Sequence, residues 1–209
     1  MRKLSLLLIL IACAFGGCRK MSGAGAANSP GHEHIDPKAE VIQASQKIIA
    51  LKSLSAKLEG TGQTGMQKEA EYVAPDRYHT KFRDDAGADV EMIMVGNDAY
   101  IRAGDSWNKM AGDTSPTPTF RNKFSDEVLK TISDVKFDGE ETVDGKKTDV
   151  YSYKLTTLVG NYPITQKIWV NQASGLPIKT YEEYSEGVLK TLTTNYYSDK
   201  PITIEPPVK

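Results

Sequence analysis

Alternation of apolar and polar residues with a period of two dominates the chain from residue 55 onward. Gly, Pro, Asn and Asp separate the alternating segments, as is typical of strands joined to their chain neighbours. The predicted strands are 55–61, 66–74, 77–84, 89–95, 99–103, 136–143, 148–155, 162–171, 176–185 and 188–197. A sheet of about ten such strands must curl or close. We therefore predict an α+β fold built on a strongly curved antiparallel sheet, an incomplete β-barrel.

Two stretches have helical spacing instead. Asp36 followed by Pro37 is a typical helix start, and apolar residues recur every three or four positions to about Lys52. A second helical pattern covers 120–134, and the segment 111–119 between strands and helix reads as a loop. We predict that both helices cover the concave side of the sheet. Asp144-Gly145 predicts a type I′ hairpin turn between two strands.

The N-terminus has the organisation of a secretory signal. Met1-Arg2-Lys3 is basic, and residues 4–17 are uncharged and mostly apolar, fewer than the roughly 20 residues that span a bilayer. The segment ends in the string FGGC at 15–18, which resembles the lipobox of bacterial lipoproteins. In that family the signal is cut before the cysteine, which is then acylated, so Cys18 is the candidate lipidation site. Cys13 is a second candidate, and an uncleaved anchor helix or an ordinary secretory signal are the alternatives.

Three regions follow from this reading. Residues 1–17 are the predicted signal peptide, 18–35 carry the lipidated cysteine and a flexible tether rich in Gly, Ala and Ser, and 36–209 form a single domain. Several acyl chains would anchor the protein stably to a membrane without a transmembrane helix. We expect a location in the bacterial cell envelope, facing the periplasm or the cell exterior.

Several functional classes are disfavoured by composition. A formal net charge of −1 gives no sign of nucleic-acid binding. Both cysteines lie in the first eighteen residues, which excludes disulfides and a cysteine-ligated zinc site in the domain. His32 and His34 in the tether lack the rigid third or fourth ligand that zinc sites have, so no metal is expected.

Enzymatic signatures are weak as well. The G-x-G-x-x-G string at 60–65 precedes a strand rather than a helix, and the P-loop-like string at 139–147 has the wrong spacing. His79 is alone in the predicted domain and has no evident acid–base partner. Adjacent acids such as Glu182-Glu183 point to opposite faces of a strand and are read as solvated edges. We predict a protein that is not an enzyme and needs no cofactor.

Ordered motifs along the chain resemble those of a known family. They are YVAPDRY at 72–78, VGNDAYI at 95–101 followed by Trp107, the hairpin VDG at 143–145 leading to Val150-Tyr151, and KIWVN at 167–171 followed by GLPIK at 175–179. Together they resemble the LolA/LolB-like lipoprotein carrier superfamily, which includes the mycobacterial LppX/LprG-type lipoproteins. The resemblance implies a half-barrel capped by helices around a hydrophobic cavity that holds acyl chains, and it carries over no catalytic residue.

Apolar residues at alternate strand positions are the candidate cavity lining, although an ordinary helix-packed sheet would show the same rows. They are Val90, Met92, Met94, Tyr151, Tyr153, Leu155, Ile164, Ile168 and Val170. Trp169 falls on the face opposite Ile168. We expect a carrier in lipoprotein or lipid trafficking that binds the acyl chains of a lipid or lipoprotein. The alternative is an envelope protein-interaction or sensing module on the same scaffold, with a protein partner.

Overall fold

The computed structural model describes residues 36–61, 67–84, 86–110, 119–156, 162–186 and 189–208. Within them lie three helices and eleven strands. The helices are α1 (Pro37–Ile49), α2 (Thr119–Asn122) and α3 (Asp126–Leu129). The strands are β1 (Ser53–Thr61), β2 (Gln67–Val73), β3 (Arg77–Arg83), β4 (Asp89–Val95), β5 (Asp98–Ala103), β6 (Ser106–Met110), β7 (Ser133–Val143), β8 (Lys146–Thr156), β9 (Pro163–Asn171), β10 (Pro177–Glu186) and β11 (Leu189–Ser198).

All the described strands belong to one antiparallel sheet. Their order is β6-β5-β4-β3-β2-β1-β11-β10-β9-β8-β7, so nearly every strand pairs with its chain neighbour and β1 pairs with β11. The sheet is open, because β6 and β7 are its two edges. The predicted antiparallel sheet is therefore confirmed, with one strand more than the alternation indicated, the short edge strand β6.

Helix α1 begins where its sequence predicts. The Asp36 carboxylate accepts a hydrogen bond from the Ala39 N–H at 3.0 Å, which satisfies one of the free donors of the first turn. The helix ends at Ile49 and not at Lys52. Val41, Ala44 and Ile48 lie on its buried stripe and belong to the same hydrophobic cluster as residues of the sheet.

The second predicted helix, 120–134, is wrong in its extent. Ser125 interrupts it, since its hydroxyl accepts a hydrogen bond from the Val128 N–H and starts the separate four-residue helix α3. Asp134 then has a φ of 54°, and the chain is already in β7 from Ser133. The apolar residues of this pattern nevertheless form part of the core, since Phe124, Val128 and Ile132 are all buried.

Two of the motifs quoted above have clear structural roles. Asp144 and Gly145 have φ angles of 49° and 74°, which confirms the type I′ hairpin between β7 and β8. Arg77, at the end of the motif at 72–78, donates to the Ile204 carbonyl at 2.6 Å and to the Glu205 carboxylate at 2.8 Å. Ile204 is itself buried, so the arginine and this side chain together hold the C-terminal segment against the start of β3.

Candidate ligand-binding face of the sheet

One face of the sheet carries the hydrophobic core, and we call it the core face. On the side of β3 and β4, Met94 is paired with Tyr78, Tyr78 with Tyr72, and Tyr72 with Leu54 of the core cluster. Directly paired residues point to the same side of a sheet, and so do residues two apart on a strand. Met92 and Val90 therefore share this face with Met94.

The other six candidates lie on the core face in β8 and β9. Tyr151 is paired with Ile168 and Leu155 with Ile164. Five of the six belong to the hydrophobic cluster that includes α1 and α3, namely Tyr151, Tyr153, Leu155, Ile168 and Val170. Ile164 is half-buried and packs against that cluster. The structure thus brings all nine candidates to one face, and their contact with a ligand stays a prediction.

The two halves of the core face differ in how far they are covered. Beneath α1 and α3 the side chains are packed as a core, whereas Val90 and Met92 on β4 are only half-buried. Their cross-strand partners Phe82 and Thr80 are half-buried too. Phe82 and Val90 also border a cavity of about 350 Å³, but its charged lining residues occupy strand positions of the opposite face, namely Glu69, Lys81, Asp89, Glu91 and Arg102.

A polar cluster lies within the core face, in the half that the helices contact. The Lys123 ammonium group, just after α2, forms an ion pair with the Glu182 carboxylate of β10. Gln166 and Asn195 each donate to the same Glu182 oxygen at 3.2 Å. Both amides are almost completely buried, as is Thr180, which accepts from Asn195 at 3.1 Å.

The Glu182 carboxylate and burial shift the ionisation of the groups around it. Burial is the largest single effect and would lower the pKa of Lys123, but the charge of Glu182, its hydrogen bond and the contacts with Tyr197 together outweigh it, so the pKa of Lys123 is raised. The pKa values of Tyr153 and Tyr197 are raised by burial, and the negative charge of Glu182 adds to this. In the folded protein the lysine is therefore charged and both phenols are neutral at physiological pH.

A second cation from the same segment reaches the other half of the core face. The Arg121 guanidinium group lies over the Tyr72 ring at 3.7 Å from its centroid and donates to the Ile49 carbonyl at 2.8 Å. Arg121 and Lys123 thus connect the α2 segment to the end of α1, to β2 and to β10. The segment is therefore held against the core face by two charged side chains as well as by the buried ring of Phe124.

These polar residues are what the sequence analysis missed. The interpretation of Glu182-Glu183 as a solvated edge is wrong for Glu182, which forms a buried ion pair. As predicted, the two acids are adjacent in β10 and so point to opposite faces of the sheet. The one signal in the sequence was the period of two, because Thr180 and Glu182 are two positions apart on β10 and therefore point to the same face of the sheet. Nothing in the sequence connected them to Lys123.

The opposite face of the sheet has its own contacts. Trp169 lies there, as predicted, where its indole N–H donates to the Glu141 carboxylate at 2.7 Å and Lys179 lies over its ring at 4.3 Å. His79 also lies there, with its two ring nitrogens 2.8 Å and 2.7 Å from carboxylate oxygens of Glu71 and Glu91. The partners of His79 are therefore the acids of neighbouring strands, away from the candidate residues.

Glu91 is the most connected of these acids. Burial would raise its pKa, but hydrogen bonds from His79 and Arg102 lower it. In the part of the chain that the structure describes, no group of three or more His, Cys, Asp or Glu is placed to hold a metal ion. Across the same residues, the helices are too short or too polar to cross a membrane.

The fold is similar to that of two mycobacterial lipoproteins of known structure. The crystal structure of the lipoprotein LppX from Mycobacterium tuberculosis matches with a TM-score of 0.63 at 16% identity, over 81% of this chain and 98% of that chain. LprF from Mycobacterium bovis matches with a TM-score of 0.66 at 11% identity, over 83% of this chain and 99% of that chain. No protein-family model and no curated protein matches the sequence. The resemblance to LppX-type proteins is therefore confirmed at the level of the fold.

Proposed function

We propose that this protein is a membrane-tethered lipoprotein of the bacterial cell envelope that binds acyl chains of a lipid or lipoprotein on the core face and carries them in trafficking. In this proposal the core face is the concave side of the sheet and the helices cover it. Binding would rest on hydrophobic burial and would need no covalent chemistry or cofactor. The tether would keep the site close to its donor or acceptor membrane, facing the periplasm or the cell exterior.

One observation carries the proposal. Nine apolar residues from β4, β8 and β9 share one face, and at Val90 and Met92 of β4 that face is only half-buried. Val90 and Met92 with their partner Phe82 offer an apolar strip beside the packed core, and methionine adapts to irregular apolar contents. The likeness of fold to the lipoprotein LppX supports the same class of protein.

Met92→Asp tests this function directly, with Ile93→Asp as its matched control. The two residues are adjacent and both half-buried, but they lie on opposite faces of β4. Burying a carboxylate against an acyl chain costs several kcal/mol, so we expect Met92→Asp to weaken binding of a fluorescent fatty acid by about tenfold or more. Ile93→Asp should bind as the wild type does. Equal binding by both variants, at matched thermal stability, would contradict the proposed site.

Native mass spectrometry of the protein purified from cells separates this function from the second candidate. The packed core beneath α1, which contains five of the nine candidate residues, favours a protein-interaction module on the same scaffold. Co-purified lipid is expected for the carrier. Reproducible absence of lipid, together with no uptake of the fluorescent fatty acid, would contradict the carrier function and favour the interaction module.

The anchor is tested by metabolic labelling. Residues 1–35 lie outside the described residues, so the signal peptide, Cys18 and the tether stay part of the proposal. Cys18→Ala is expected to abolish incorporation of labelled palmitate, because it removes the sulfur that would be acylated. Cys13→Ala should leave the label intact, and the reverse pattern would move the anchor to Cys13.

A further inference from the structure

A groove lies between α1 and the α3 segment. Its volume is about 380 Å³, and it is lined by Lys38, Ile42, Gln46, Asp126, Leu129 and Lys130. On α1 the three lining residues recur every four positions, so they form a stripe beside the buried stripe of Val41 and Ile48. The other wall comes from Asp126 and Leu129 of α3 and from Lys130, which follows this helix.

The floor of the groove is apolar and leads toward the core. Leu129 belongs to the core cluster, and Ile42 is half-buried and packs against it. One end is closed by Lys38, whose ammonium group donates to the Ile132 carbonyl at 2.7 Å. A chain of methylene groups lying on Ile42 and Leu129 would therefore be in contact with the outer surface of the core.

The rim of the groove is positively charged. Lys38 and Lys130 face one acid, Asp126, which leaves a net charge of +1 at neutral pH. Among the described residues neither lysine forms an ion pair, whereas Lys81, Lys109 and Lys123 all do. Both lysines are exposed, and Lys38 has two N–H donors besides the one that the Ile132 carbonyl accepts, so both can contact an anionic partner from outside the chain.

We propose that this groove binds the phosphate-bearing head of an anionic amphiphile, with the phosphate between Lys38 and Lys130 and the first methylene groups on Ile42 and Leu129. Lysine binds phosphate oxygens as a compact point charge with three donors. The inference rests on the proposed function, since it names the class of lipid whose acyl chains the protein would carry. The ligand class is an anionic phospholipid taken up as a single molecule.

Binding of two short-chain lipids in monomeric form tests the proposal. Dihexanoyl phosphatidylglycerol is anionic and dihexanoyl phosphatidylcholine is zwitterionic, while their acyl chains are the same. We expect the purified protein to bind the anionic lipid about three- to tenfold more tightly, the effect of two partly exposed charge pairs. The affinities are measured by isothermal titration calorimetry at fixed ionic strength.

Matched variants assign the preference to the groove. Lys38→Gln/Lys130→Gln should bring the affinity ratio of the two lipids close to one, and Lys38→Arg/Lys130→Arg should keep it. Lys52→Gln/Lys200→Gln removes the same charge from exposed lysines elsewhere and should also keep it. Gln46→Lys, which adds a third cation to the rim, should raise the ratio.

The remaining outcomes overturn the proposal in distinguishable ways. Equal affinity for both lipids in the wild type, or an unchanged ratio in Lys38→Gln/Lys130→Gln, contradicts the groove and leaves acyl-chain binding in place. Displacement of the anionic lipid by inorganic phosphate at a similar concentration would make the groove a phosphate site and not a lipid site. Failure of both short-chain lipids to bind contradicts the groove, and uptake of the fluorescent fatty acid by the same protein then shows whether the proposed function stands.

Discussion

Replacing Lys123 by methionine is expected to lower the free energy of unfolding by about 3–5 kcal/mol, the usual cost of removing one partner of a buried ion pair. The side chains of Lys123 and Glu182 are only 15% and 20% exposed. Methionine fills a similar volume, so the loss reports on the charge and not on a cavity. What remains is the Glu182 carboxylate, which is buried without its cation and keeps only the hydrogen bonds from two amides.

A double variant separates the charge from the packing. In Lys123→Met/Glu182→Gln the buried charge is gone, while the amide introduced in place of the carboxylate can still accept from Gln166 and Asn195 through its oxygen. We expect most of the lost stability to return, because replacing both charges of a buried pair is often nearly neutral. Urea unfolding measures all three proteins.

The control for this experiment is an exposed ion pair. Lys57 and Glu59 lie 2.8 Å apart with side chains 65% and 52% exposed, so Lys57→Met should change the stability very little. If Lys123→Met were as harmless as Lys57→Met, the ion pair would not be buried in solution. If the double variant were as unstable as Lys123→Met alone, the loss would come from packing.

This buried pair also shows where sequence reasoning stops. The strands were predictable because alternation and turn residues are local signals, and 89–95 was predicted with the bounds of β4. The shared face of the nine candidates followed from the same local signals. Lys123 and Glu182 are 59 positions apart, and each read alone is an ordinary surface residue. They meet because the segment after α2 lies against β10, a tertiary contact that no local pattern encodes.

The short helices were mispredicted for a related reason. Phe120, Phe124, Val128 and Ile132 recur every four positions, which favours one helix when propensity and spacing are all that is known. The chain uses Ser125 as a cap instead and turns sharply at Asp134 to enter β7. Capping side chains satisfy backbone donors locally, and here this outweighed a continuous helix.

Alkaline unfolding is the second large effect that we expect. Lys123, Tyr153 and Tyr197 all have raised pKa values in the folded protein, against ordinary values of 10.5 for lysine and 10.0 for tyrosine. Above about pH 10 the unfolded chain releases these protons and the folded protein retains them. The unfolded state then binds fewer protons, so stability falls as pH rises and is fully present below pH 10.

The slope of this loss is a quantitative expectation. Each group contributes up to about 1.4 kcal/mol per pH unit, so the three together can remove about 4 kcal/mol per unit. A domain with an ordinary stability of about 5–15 kcal/mol would unfold within a few pH units above pH 10. Urea unfolding at a series of pH values, followed by circular dichroism, measures the slope, and tyrosinate absorbance should rise together with unfolding.

Tyr153→Phe tests which groups produce the slope. It removes one titrating phenol from the core, so we expect the stability to fall less steeply above pH 10, by up to about 1.4 kcal/mol per pH unit. Leu155→Val is the matched control, since it lies two residues away on the same face of β8 and changes packing without changing titration. It should lower stability by about the same amount at every pH.

A stability that stays level up to pH 11 in the wild type, or a slope that Tyr153→Phe leaves unchanged, would show that these phenols ionise freely. The helices would then not exclude water from the core face, and the cover that the proposed carrier needs over its acyl chains would be missing.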